Sequence, residues 1–331
     1  MIRRRTLWAK IPLANGTFRV ALDRNQLPIF VIIARVLLDI DSSPVPSLRS
    51  RICRSNGHFD NNSSIRVIST DFAWADNSSF KNFIPHSIQG LEPDGAEFLL
   101  VFDDGHFSEH ETVLLSGIAA HIPREIMARN FGVEPKALAG IFNEELFIFH
   151  APVPGPLAED QKTAAGTLGR SPCEFSFRPG EQSIAKKTKG GEARVVDSTT
   201  FKVSTTVAAA IVTVHPGGLR EIHWHQNADE WQYYMSGSAR MTVVGTGERA
   251  RTMDFQAGDV GYIEKTLPHY IQNMGDDDLR FLELFRSSRF EDLSLSEWLA
   301  HTPPELVMAR LNIDKATYDR VPREKPVVLP R

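Results

Sequence analysis

Cysteine is scarce in this 331-residue chain. There are two, Cys53 and Cys173, far apart in sequence. They build neither a disulfide framework nor a thiolate metal centre. Positive charge is not in excess either. The 37 Lys and Arg are outweighed by 41 Asp and Glu, a formal charge of −4. No basic footprint for nucleic acid results, and none is expected as a partner. Long apolar runs are also missing. The longest, residues 27–38, is interrupted by Arg35 and is too short to cross a bilayer. It begins too late, and lacks the small-residue cleavage pattern, for an ordinary secretory signal. No membrane association is expected. Asn15, Asn61, Asn62 and Asn77 each open an Asn-x-Ser/Thr triplet, which matters only in a secreted chain, so localisation stays open. With 42% hydrophobic and 24% charged residues, the composition is that of a globular protein. The length suffices for two domains.

Histidine, in contrast, is concentrated. The stretch from Gly217 to Asn273 contains Gly217-Gly218-Leu219-Arg220-Glu221-Ile222-His223-Trp224-His225, then Glu230 and Gly237, then Leu267-Pro268-His269-Tyr270-Ile271-Gln272-Asn273. His223 and His225 are two apart, so on a strand both imidazoles enter one space. Glu230 follows five residues later, far enough for a bend to return its carboxylate to that space. His269 must come from another strand. A lone inward His is usually a hydrogen-bonded core residue. Three of them with an inward carboxylate are harder to explain that way, because such a carboxylate without a counter-charge is costly. Three imidazoles and one carboxylate suit a divalent transition metal, and the residue types alone would admit iron, zinc or copper.

The pattern Gly217-x5-His223-x-His225-x4-Glu230-x6-Gly237, followed by Pro268-His269-x3-Asn273, resembles the two motifs of the cupin family. The run Arg220 to Tyr234 is similar to the C-terminal cupin of the bicupin oxalate decarboxylases. One departure is local: Glu264-Lys265-Thr266 stands where Pro-x-Gly often precedes the last histidine. The resemblance implies an all-β fold, a double-stranded β-helix (jelly-roll) bicupin with short helices after each barrel. It implies Mn(II) held by His223, His225, Glu230 and His269, with dioxygen as co-catalyst. The reaction it implies is oxalate to formate and carbon dioxide. Oxalate oxidase, giving peroxide and carbon dioxide, and a non-catalytic metal-binding or storage cupin are the alternatives. Association into homo-oligomers is a further expectation.

Two groups would serve that chemistry beside the metal. By similarity Arg220 faces the substrate; a structural ion-pair arginine is the other reading. Glu283 lies within Phe281-Leu282-Glu283-Leu284-Phe285. An inward carboxyl there is desolvated and has a raised pKa, which suits a proton donor. It could equally partner Arg220, and both can hold. In the family a lid resembling Ser-Glu-Asn-Ser supplies an acid in the first cupin. The matching stretch here is Ser108-Glu109-His110-Glu111, and Glu109 is the candidate; an exposed loop glutamate is otherwise a solvated charge.

The chain also repeats itself. His86 and His269 stand 183 positions apart, as do Asp71 and Asp254, Asp76 and Asp259, Pro85 and Pro268, Phe98 and Phe281, and Phe107 and Phe290. Ala120-His121-Ile122-Pro123 matches Ala300-His301-Thr302-Pro303 at an offset of 180. The chain therefore holds two copies of one barrel-plus-helix unit. The same offset carries His223, His225 and Glu230 onto Ile40, Ser42 and Ser47. His86 alone survives, so a four-ligand site is expected only in the C-terminal half, with one metal per chain. The organisation predicted is an atypical segment 1–70, a partial N-terminal cupin 71–156, a linker 157–173 and a complete C-terminal cupin 174–331. Within residues 1–70 a weak strand is expected from Gly16 to Asp23, and the segment is expected to be less ordered than the rest, because its patterning gives no continuous core face. Helices are expected from Pro123 to Asn130, from Ser296 to Leu299 and from Pro304 to Leu311. Residues 205–214 read as a strand buried by an unbroken apolar run.

Overall fold

The computed structural model describes residues 7–13, 16–22, 30–36, 65–69, 86–91, 96–105, 113–149, 151–166, 174–181, 186–247 and 249–331, the strands before residue 70 by backbone alone. The chain divides into two units, Met1–Pro172 and Cys173–Arg331. Among the described residues no helix is long and apolar enough to cross a membrane.

In the first unit, strands β1 (Leu7–Leu13), β2 (Gly16–Leu22) and β3 (Phe30–Val36) precede β4 (Ile65–Ser69), β5 (His86–Gly90) and β6 (Ala96–Phe102). One antiparallel sheet has the order β1-β2-β3-β6, and β4 pairs with β5. The weak strand expected from Gly16 to Asp23 is β2, whereas β1, β3 and β4 were not read from the sequence. β3 forms from the apolar run Phe30–Val36 and pairs along its length with β6, from Phe30 opposite Phe102 to Val36 opposite Ala96. β-Branched and aromatic residues favour such pairing. Phe98, Leu100 and Phe102, alternate residues on one face of β6, share an apolar cluster with Phe147 and Ile148. Helix α1 (Leu115–His121) and α2 (Arg124–Phe131) follow. Pro123 caps the start of α2 and Gly132, at φ 68°, ends it. Within residues 157–173, read from the sequence as a linker, α3 spans Leu157–Ala165. Its alanines, Gln161 and Lys162 favour helix, and Glu159 and Asp160 complement the first turn.

The second unit contains β7 (Lys186–Thr188), β8 (Gly191–Val196), β9 (Ala208–Val214), β10 (Leu219–Trp224), β11 (Glu230–Ser236), β12 (Ser238–Val244), β13 (Ala250–Gln256), β14 (Val260–Ile263), β15 (His269–Asn273), β16 (Leu279–Phe285), β17 (Leu293–Ser294) and β18 (Val328–Leu329). One sheet runs β13-β12-β15-β10-β17, with β18 also on β10; the other runs β14-β11-β16-β9-β8-β7. Among the described residues these strands pair antiparallel, and each sheet turns one face to a shared core of Val212, Val214, Tyr234, Met241, Ile271 and Phe281. Burying a side chain such as Phe281 contributes about 1.5–3 kcal/mol. β9 starts at Ala208, and only its alternate residues Ala208, Ala210, Val212 and Val214 are fully buried. The apolar run is thus half inward, because a sandwich sheet has its core on one side. Gly237 makes the turn from β11 to β12 at φ 83°, where a Cβ would meet Leu279 Cα at 2.8 Å.

Helices α4 (Leu295–Ala300), α5 (Pro304–Leu311) and α6 (Lys315–Tyr318) close the unit. α5 begins after Pro303 and ends at Asn312, φ 52°. Pro303 and Asn312 stand 180 positions after Pro123 and Gly132, so the helical part of the repeat is built alike in both copies.

Candidate metal centre

β10 ends in His223 and Trp224, and His225 follows it directly; Glu230 opens β11 and His269 opens β15. Antiparallel pairing sets His223 opposite His269. Three strand ends from both sheets thereby deliver four side chains to one point. All four are buried, and their ligand atoms lie within 4.8 Å of one another. Glu230 Oε2 is 2.9 Å from His269 Nε2 and 3.1 Å from His225 Nε2.

The far side of each imidazole is tied to a backbone carbonyl. Nδ1–H donates to Glu221 O at 2.8 Å from His223, to Glu291 O at 2.7 Å from His225, and to Leu267 O at 3.1 Å from His269. A carbonyl only accepts, so the proton of each neutral ring sits on Nδ1 and the Nε2 lone pair points inward. The three Nε2 atoms and Glu230 Oε2 are buried without hydrogen-bond partners. Four orphaned donor atoms aimed at one point are costly unless a cation joins them. The residues present fit a divalent metal.

Electrostatics agree. Burial, with the charge of Arg220 and the neighbouring imidazoles, holds His223 well below the ordinary imidazole value. Burial alone would raise Glu230, but His269 and His225 outweigh it and keep it well below the usual carboxylate range. For His225 the pull of burial is exceeded by the Glu230 carboxylate, and its pKa is raised. Protons therefore compete with a metal for this site.

Arg220 and Glu221 are consecutive yet both buried, because a register shift between Arg220 and His223 breaks strict alternation on β10. Arg220 Nε donates to Glu283 Oε1 at 3.3 Å, Nη2 to Asp292 Oδ2 at 2.9 Å, and Nη1 to Val327 O at 3.3 Å. Lys325 pairs with the same Asp292. A cavity of about 240 Å³ is lined by Arg220, Glu283, Phe290, Asp292, Lys325 and Val327, among others. Burial pushes Glu283 up to about 7 against the opposing charge of Arg220, and its Oε2 has no partner. The structure thus brings Arg220 and Glu283 together as an ion pair at a cavity. Asp292 and Lys325 were not expected: they lie 72 and 105 residues beyond Arg220, and no local pattern marks them. Glu109 and its lid lie outside the described residues. His86 is exposed at the start of β5. Among the described residues, His223, His225, Glu230 and His269 form the one cluster of this kind.

An antiparallel sandwich with three histidines and a glutamate at its strand ends defines a cupin, and the family model described as Cupin matches residues 177–319. Oxalate decarboxylase OxdC of Bacillus subtilis is 48% identical over 250 residues, covering 75% of this chain and 64% of the relative. The solved structure of a serine-to-alanine variant of that enzyme superimposes with a TM-score of 0.83 at 36% identity, covering 98% of this chain and 87% of the other. Another structure of it, from work on its Mn(II) centres, gives 0.79 at 36% identity, covering 96% and 85%. This chain belongs to the bicupin oxalate decarboxylase family. It spans just under two thirds of the length of the first curated relatives it matches.

Proposed function

We propose that this chain is a manganese-dependent, oxalate decarboxylase-like enzyme. Its metal would be held by His223, His225, Glu230 and His269 of the C-terminal cupin, and oxalate would become formate and carbon dioxide there. The observation that carries this reading is the convergence of four buried, otherwise unpartnered donor atoms in a chain 48% identical to a decarboxylase over 250 residues. The Mn(II) assignment follows that enzyme, whose centres are Mn(II).

Bound at this site, Mn(II) supplies Lewis-acid and one-electron chemistry toward a carboxylate. Arg220 supplies the fixed positive charge for a dianion. Glu283, Asp292 and the Val327 carbonyl hold its guanidinium in place, so little is lost in ordering it when substrate arrives. With its pKa raised to about 7, Glu283 exchanges a proton around neutral pH. Loss of carbon dioxide from oxalate dianion leaves an electron pair on carbon, and one proton to that carbon completes formate. We assign that proton to Glu283, a buried carboxyl with a raised pKa at the Arg220 cavity. Glu109 is the competing donor, carried over from the family lid.

The test is anaerobic and aerobic assay of the manganese-loaded protein for formate, peroxide and carbon dioxide, with elemental analysis alongside. Formate in step with carbon dioxide is expected, with metal lost in His223→Ala, His225→Ala and Glu230→Ala. Peroxide in place of formate would make the chain an oxidase, and bound manganese without turnover a non-catalytic cupin. Glu283→Gln is expected to reduce formate more than metal content. If Glu109→Gln abolishes activity and Glu283→Gln does not, the acid is Glu109.

A further inference from the structure

Behind Glu230 a chain of buried polar side chains runs along β11. Gln232 Nε2 donates to Glu230 Oε1 at 2.6 Å, and the Tyr234 hydroxyl donates to Gln232 Oε1 at 2.7 Å. The three residues are alternate positions on one strand, so they share a face. Gln232 and Tyr234 are completely buried, and Tyr234 belongs to the apolar core. An amide in such surroundings is costly unless both ends are bonded.

The chain has a fixed direction. An ionised carboxylate only accepts, so the Gln232 amide must present N–H to Glu230 and its carbonyl oxygen outward. That oxygen requires a donor, and the Tyr234 hydroxyl is one. Room for the amide is kept by a second residue. Gly261 on β14 stands opposite Gln232 in register, and a Cβ there would lie 2.9 Å from Gln232 Oε1. Glycine at 261 serves space, since its φ is not in the left-handed region. With Oε1 engaged by Gln232, Glu230 has one oxygen left, and that is the Oε2 facing His225 and His269.

We propose that Gln232, locked by Tyr234, is a positioning residue that fixes the Glu230 carboxylate so that Oε2 alone is offered to a divalent metal. The proposal rests on the metal-site reading above; oxalate plays no part in it, so its test stands apart from the fate of the proposed reaction.

The full chain, stripped of metal, would be titrated with Mn(II) alone and with Co(II) alone, and the bound ions followed by electron paramagnetic resonance and visible absorption. Gln232→Met keeps the side-chain length and loses both hydrogen bonds. It should raise the Mn(II) Kd about 10–100-fold and alter the Mn(II) fine structure, because the carboxylate can rotate or bind through both oxygens. Tyr234→Phe and Gly261→Ala should shift both readouts the same way, by less. Unchanged Kd and spectra in Gln232→Met, with only a lower melting temperature, would make Gln232 a core residue and overturn the proposal. Should Gln232→Met not fold, unchanged Kd and spectra in Tyr234→Phe overturn it. A parent protein that binds neither ion overturns the metal site and this role together.

Discussion

Glu283 sits between Leu282 and Leu284 on β16, completely buried, with Arg220 as its counter-charge. Removing one partner of such a pair leaves an uncompensated charge, which is strongly destabilising. Its raised pKa has a consequence for stability. The unfolded value is 4.5 and the folded one about 7, so between them the folded state holds a proton that the unfolded chain has released. The contribution is fully present below about pH 4.5 and is lost as pH rises through about 7. In metal-stripped protein the melting temperature of Glu283→Gln, relative to the parent, should therefore climb between these limits and stay level on either side. A constant difference across the range, measured by calorimetry, would show that Glu283 titrates like an ordinary glutamate. That Glu283 is inward was legible from its apolar neighbours. That Asp292 and Lys325 complete its network was not, because ion pairs spanning 72 and 33 residues leave no periodic trace.

At the scale of elements, the ligand strand β10 is clamped at several points. β18 pairs with it, Leu219 opposite Leu329 and Arg220 opposite Val328. Val327 N donates to Glu221 Oε1 at 3.0 Å, and Ser294 Oγ donates to Glu221 Oε2 at 2.5 Å. The same Ser294 oxygen accepts from Glu297 N and caps α4. One hydroxyl thus joins a helix start to the strand that carries His223. Ser294→Ala should cost about 2–3 kcal/mol, the sum of a lost cap and a lost hydrogen bond to a buried carboxylate. Ser294→Thr, which keeps the hydroxyl, should cost less. Equal losses in urea unfolding followed by tryptophan fluorescence would assign the effect to packing instead. Of the helices, α2, α4 and α5 were read from the sequence, α2 by Pro123 at its start and Gly132 after its end; α1, α3 and α6 were not. The strand β3 was not read, since an apolar run with an internal Arg35 does not announce its partner β6.

For the whole molecule, the proposed site is the one His/Glu set among the described residues, and the proposal is one metal per chain. We expect about one equivalent of manganese in the full chain and the same in His86→Ala. Two equivalents by elemental analysis would reveal a second centre. The units Met1–Pro172 and Cys173–Arg331 also bear on the proposed organisation, in which residues 174–331 are the C-terminal cupin and residues 71–156 a partial one.

The four residues of the proposed metal site were legible in the sequence alone, because metal coordination constrains residue type and spacing: two histidines on one strand face, a carboxylate after a bend, a third histidine on a partner strand. The cupin class followed from the same residues. Tertiary structure alone decided what surrounds them. The register shift that buries both Arg220 and Glu221, the carbonyls that fix each imidazole, the Gln232–Tyr234 chain and the space at Gly261 arise from register and packing between strands distant in the chain. A hydrogen bond across such distances depends on where two backbones meet, and residue identity does not encode that one position at a time.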